Sequence, residues 1–141
     1  MALTSTATAH WEGSLFEGKG SVNLDSSRLG SFDINWKARS EGQDSTTTPE
    51  ELLGAAHAAC FSMAFSNGLA KAGTPPTALN TTADVTFVPG TGITGIKLTV
   101  RGDVPGISAD DFAAAAADAK ANCPVSKALA GVEITLDAAL A

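Results

Sequence analysis

From Leu52 to Phe65 nearly every residue is apolar or small, on all helical faces rather than along one stripe, with His57 and Ser62 the polar interruptions. A helix apolar all round is buried on all sides. Its limits are well marked. Thr48 is a suitable N-cap, Pro49 suits the first helical position, and Glu51 stands three residues after the cap. Gly73 and Pro75-Pro76 stop it, so the pattern predicts a helix from Pro49 to about Lys71. At ~1.5 Å per residue this helix is roughly 33 Å long, about the width of a small domain. A chain of 141 residues cannot easily enclose it alone. A homodimer with extensive shared surface is therefore expected.

The remaining elements read more ordinarily. Strand-like stretches near Ala7–Glu12, Gly20–Leu24 and Phe32–Arg39, separated by Gly13, Gly18 and Gly30, predict an antiparallel meander. Thr81–Val88 and Ile93–Arg101 flank the turn Pro89–Gly92 and predict a hairpin. Ser108 caps a second helix running to about Asn122, where Cys123-Pro124 breaks it and restarts a short one over Val125–Ala130. Val132–Leu136 is the last expected strand. Helical and strand runs do not strictly alternate, which favours an α+β fold in a single domain over residues 1–141.

Charge narrows the class of partner. The formal net charge is −6, and the nine Lys and Arg are scattered singly, so nucleic acid is not an expected partner. Residues Met1–His10 lack the basic-then-apolar order of a secretory signal, and Leu52–Phe65 is shorter than the ~20 residues needed to span a bilayer. The expectation is a cytoplasmic protein with no membrane association. There the two cysteines would be reduced, serving either packing or chemistry.

Cys60 sits mid-helix among apolar neighbours, a setting that raises a thiol pKa and leaves it inert unless positive charge is brought to it. His57, three residues earlier, shares its helical face and is either an orienting base or a satisfied core histidine. Arg39 is the stronger source of charge, because a guanidinium is permanently protonated and can fork onto a thiolate and a carboxylate together. Of the two acids opening the long helix, Glu51 is accounted for by the capping box, leaving Glu50 freer to pair with an arginine. Glu50 and Cys60 are ten residues apart, about 15 Å on a straight helix. If both serve one site, Glu50 comes from a second chain or the helix is interrupted. Cys123, at a helix start, is the more acidic thiol by dipole reasoning alone. Two Cys and two His could supply zinc, but neither C-x-x-C nor H-x-x-x-H occurs and His10 falls in an expected strand, so no metal or cofactor is expected.

Thr48-Pro49-Glu50-Glu51-Leu52-Leu53-Gly54-Ala55-Ala56-His57-Ala58-Ala59-Cys60-Phe61-Ser62-Met63, together with Cys123-Pro124-Val125-Ser126, closely resembles the osmotically inducible protein C and organic-hydroperoxide-resistance superfamily. Ala9-His10-Trp11-Glu12-Gly13, Gly18-Lys19-Gly20, Arg39 followed by Glu41-Gly42, Thr81-Thr82-Ala83-Asp84-Val85, Val104-Pro105-Gly106-Ile107 and Ile134-Thr135-Leu136-Asp137 extend the resemblance over nearly the whole chain, closer to the osmotically inducible branch. It implies an intertwined α+β homodimer and a thiol-dependent peroxidase. By resemblance, Cys60 attacks the hydroperoxide, Cys123 closes a disulfide that a thiol or dithiol reductant reopens, and Arg39 and Glu50 hold the attacking thiolate. Arg28 is the weaker alternative to Arg39. The rival reading in another class is a non-catalytic dimer that senses redox state or binds a small ligand.

Overall fold

The computed structural model describes residues 1–43 and 45–141, and the chain divides into two compact units, Met1–Leu52 and Leu53–Ala141. In the first, β1 (Thr8–Glu12), β2 (Lys19–Asn23) and β3 (Ser31–Ile34) form the antiparallel meander in the order β1-β2-β3. The third expected strand is too long. The chain leaves it at Asn35, and α1 (Trp36–Glu41) follows, so Arg39 stands in the last turn of a short helix. The cause is local: the Asn35 side chain accepts the Ala38 N–H at 2.7 Å, an N-cap bond that outweighs the strand propensity of the run. Ser40 Oγ donates back to the Trp36 carbonyl at 2.9 Å, and Gly42, at φ 82°, ends the helix where a side chain would be strained.

This unit has almost no interior. Of its described residues only Ala38 and Glu50 are buried, while Leu15, Phe16, Leu29 and Phe32 are exposed. A three-stranded sheet with no covered apolar face is marginal in water.

In the second unit, α2 (Pro49–Lys71, its first turn belonging to the first unit), β4 (Ala78–Val88), β5 (Gly92–Asp103), α3 (Ala109–Asn122), α4 (Pro124–Ala128) and β6 (Glu133–Leu140) follow in order. The hairpin pairs β4 and β5 over Ala78–Asp103. The last strand pairs with β5 in parallel from Gly95↔Glu133 to Gly102↔Leu140, so this sheet is mixed, not antiparallel. The difference follows from connection length, because α3 and α4 separate β5 from β6 and a crossover returns the chain in the same direction. Both helix starts behave as their residues require: the Asp111 N–H donates to Ser108 Oγ at 3.1 Å, and the Glu51 N–H to Thr48 Oγ1 at 3.0 Å.

One core holds this unit together. Phe61, Phe65 and Leu69 of α2 meet Ile96, Leu98 and Val100 on one face of β5, and Phe112, Ala116 and Ala119 of α3. Gly54 lets α2 approach β4, since a Cβ there would lie 3.1 Å from the Ala83 carbonyl oxygen. Phe65 is the centre, its ring 5.6 Å from Phe61 and 5.1 Å from Phe112. Phe65→Ala is expected to destabilise the protein by about 3–5 kcal/mol, read as a drop in the urea midpoint at unchanged slope.

The long helix is not buried on all sides within one chain. Gly54, His57, Phe61, Phe65 and Leu69 face the core, whereas Ala55, Ala56, Ala59, Met63, Asn67 and Ala70 are exposed. Met63 is 72% exposed. The outer face is nearly as apolar as the inner one. No helix among the described residues is long and apolar enough to cross a membrane.

Candidate active site

Two pairs of side chains come together in the structure, one in each unit: the cysteines whose pairing the resemblance implied, and the Arg39–Glu50 pair. In the second, the Cys60 and Cys123 sulfurs lie 3.0 Å apart, both unbridged. Cys60 projects from the middle of α2, half-buried, and Cys123 sits at the break between α3 and α4 with no exposed surface. The break is local chemistry. Pro124 has no N–H with which to continue α3, while the Cys123 N–H still closes that helix onto the Ala119 carbonyl at 2.9 Å. The sulfurs need to approach by only about 1 Å to reach the ~2.05 Å of a disulfide.

The two thiols are electrostatically unequal. Burial pushes Cys60 up, and its hydrogen bond and charge interaction with Cys123 push the same way, outweighing the help of the Val125 N–H. Burial also pushes Cys123 up, but there the hydrogen bonds win. Cys60, the Ser126 N–H and hydroxyl, and the Val125 N–H all favour the Cys123 thiolate and bring it below an ordinary thiol. With these groups alone, Cys123 is the more acidic thiol of the pair and Cys60 the less acidic.

In the first unit, Arg39 Nε and Nη2 both donate to Glu50 Oε1, at 2.9 and 2.8 Å. Glu50 is buried and Arg39 partly exposed. Glu51 is otherwise engaged, accepting from Thr47 Oγ1 at 2.6 Å. Arg28, on the exposed turn between β2 and β3, has a left-handed backbone with φ 59°. His10 lies on exposed β1, 3.6 Å from Glu12.

His57 is fully buried, and its Nε2 lies 2.7 Å from Ser126 Oγ. Ser126 is a residue to which the sequence reasoning attached no role. The signal available was its place three residues after Cys123, which puts both on one side of the first turn of α4. Burial holds the His57 pKa below 6.5. The unfolded chain takes up this proton near 6.5 and the folded chain only at lower pH, so between the two the unfolded state binds more protons. Stability therefore declines as the pH falls through 6.5 and levels off below the folded value. Urea midpoints measured from about pH 8 to 5 should show this decline, and His57→Gln should reduce it.

Beside Cys60 a groove of about 780 Å³ opens between α2 and α3, walled by Ala56, Ala59, Met63, Ala64 and Pro124, with Asn67, Lys71 and Asp118 at its edges. It gives a small molecule access to Cys60.

The family described as OsmC-like protein matches residues 42–137, which include both cysteines and Glu50. The chain belongs to the OsmC-like family. A relative named peroxiredoxin OsmC from Escherichia coli is 47% identical over 140 residues, covering 97% of this chain and 96% of its own; one of the same name from Shigella flexneri matches equally. Among solved structures, an organic hydroperoxide resistance protein OsmC from Legionella pneumophila matches with a TM-score of 0.75 at 25% identity, covering 99% of this chain and 98% of its own. The organic hydroperoxide resistance protein OhrB of Bacillus subtilis matches with a TM-score of 0.71 at 26% identity, over 94% and 97% of the two chains. The expected OsmC-like α+β fold and the OsmC branch are both supported by these likenesses.

Proposed function

We propose that this chain is a peroxidase that reduces organic hydroperoxides, and hydrogen peroxide less well, through a Cys60 sulfenic acid and a Cys60–Cys123 disulfide. The observation that carries the reading is the 3.0 Å approach of two unbridged cysteines from elements 63 residues apart in sequence, one opening onto a groove and the other buried. In the reaction the Cys60 thiolate attacks the terminal peroxide oxygen, the O–O bond breaks, and the alkoxide leaves as an alcohol once protonated. A thiol or dithiol then reopens the disulfide.

Cys60 needs outside help to ionise, and the Arg39–Glu50 pair is the proposed source. α2 runs without a break, so Glu50 and Cys60 of one chain are held about 15 Å apart along it. We assign the pair to the site of a second copy, in a homodimer. The exposed apolar outer face of α2 and the uncovered apolar residues of the meander support that assembly. The Ala and Met walls of the groove suit an alkyl hydroperoxide, in keeping with a role in stress defence in the cytoplasm.

The test is consumption of cumene hydroperoxide and of hydrogen peroxide with a dithiol donor, alongside the solution mass. Turnover favouring the organic substrate, from a species of twice the chain mass, is expected. Absence of dithiol-dependent peroxide consumption would eliminate the reading and leave a sensing or binding dimer.

A further inference from the structure

The peroxidase reading leaves one buried pair unused. His57, from the core-facing side of α2, meets Ser126, from the first turn of α4, at 2.7 Å. Both are at least nine-tenths buried, and the other ring nitrogen, Nδ1, has no hydrogen-bond partner among the described residues. A polar contact this deep, on the element that carries Cys123, calls for a reason beyond filling space.

The orphaned nitrogen decides the direction of the bond. If Ser126 donated to Nε2, the ring proton would sit on Nδ1 as a buried donor with no acceptor, the rarer and costlier kind of unsatisfied group. With the proton on Nε2 the unpartnered atom is only a lone pair, and His57 donates to Ser126 Oγ. Having accepted, the serine hydroxyl has its own proton to give, and Cys123, the N-cap residue three positions earlier, lies on the same side of the first turn of α4. Each donor in such a chain polarises the next, and more so in a dry interior.

We propose that His57 and Ser126 are positioning residues for the resolving step: His57 Nε2–H donates to Ser126 Oγ, Ser126 donates to Cys123 Sγ, and Cys123 stands as a thiolate aimed at Cys60. The inference rests on the disulfide chemistry proposed above. In that step the Cys123 thiolate attacks the sulfenic sulfur of Cys60, the S–S bond forms as the S–O bond breaks, and hydroxide leaves. The hydroxide takes from solvent the proton that Cys123 gave up on ionising, so the products are the disulfide and water with no further reactant. The serine hydroxyl releases its bond to sulfur as the negative charge disappears. His57 stays neutral throughout, as its burial requires.

The experiment separates the two chemical steps in a single turnover with one equivalent of cumene hydroperoxide. Peroxide loss reports attack by Cys60, and mass spectrometry of quenched samples reports disulfide closure. In Ser126→Ala, closure should slow by about tenfold or more, as expected for the loss of a hydrogen bond to a charged group, with attack changed less than about twofold. His57→Leu should behave alike. His57→Gln, whose side-chain amide can donate where Nε2 does, should close within about threefold of the parent. In the Ser126→Ala background His57→Leu should add little, because the histidine acts only through the serine. Closure unchanged in Ser126→Ala overturns the proposal. So does a proportional slowing of attack and closure, which marks a packing defect. A parent protein that forms no disulfide would instead sink the underlying peroxidase reading.

Discussion

Cys60→Ser is expected to lower hydroperoxide turnover by about 10³-fold or more, to the level of peroxide and dithiol alone. The substitution is nearly isosteric, so the core around Phe61 and Phe65 should hold and the loss should not be one of folding. A serine hydroxyl ionises far above neutral pH and cannot form the sulfenic acid on which closure depends. The experiment also decides the roles of the two sulfurs. Cys123 is the more acidic of the pair, and reactivity argued from acidity alone would make it the nucleophile. Access argues the other way, because Cys123 has no exposed surface and Cys60 lines the groove. If access governs, Cys123→Ser still consumes a first equivalent of peroxide to give the Cys60 sulfenic acid, and a second carries that sulfur on to the sulfinic acid. Should Cys60→Ser instead take up peroxide and oxidise at Cys123, the assignment is reversed.

Arg39→Ala is expected to slow the attack step by about 10²-fold and to raise the Cys60 pKa, measured from the pH profile of alkylation in a Cys123→Ser background. Among the described residues of one chain, the Val125 N–H is the group that lowers the Cys60 pKa while burial and Cys123 raise it, so the proposed activation imports its charge. The guanidinium held on Glu50 Oε1 by two N–H groups is a preoriented source. Arg39→Lys keeps the charge but loses the fork, and should fall between parent and alanine. Arg39→Ala also leaves the buried Glu50 carboxylate without its cation, so a modest loss of stability accompanies the kinetic effect. An unaltered Cys60 pKa in Arg39→Ala would refute the activation argument.

The long helix and both caps were legible in the sequence because Thr48, Pro49, Gly73 and Ser108 act through their own backbone. Glu50 as the acid left for an arginine was legible too, since Glu51 was already occupied at the helix start. Asn35 was passed over: its capping bond turns Trp36–Glu41 into a helix within a run that alternates like a strand. Nor could alternation give the direction of β6, which the crossover through α3 and α4 sets. The sequence separation of Cys60 and Cys123 carries no sign of a 3.0 Å contact; the resemblance alone implied their pairing. The inequality of the two thiols was half visible. The position of Cys123 at a helix start pointed to its lower pKa, but the contribution of Ser126 needed the fold.

If the proposed cycle operates, the burial of Cys123 also gives its reductive half a direction. With the proposed disulfide formed, an incoming thiol would meet the sulfur that faces the groove, and the mixed disulfide would be made on Cys60. Cys123 is then expelled, and a sulfur whose surroundings already favour the thiolate is the better leaving group. The environment that would make Cys123 ready to close the bond would thus make it the side that lets go, and one buried pocket would serve both strokes of the proposed cycle.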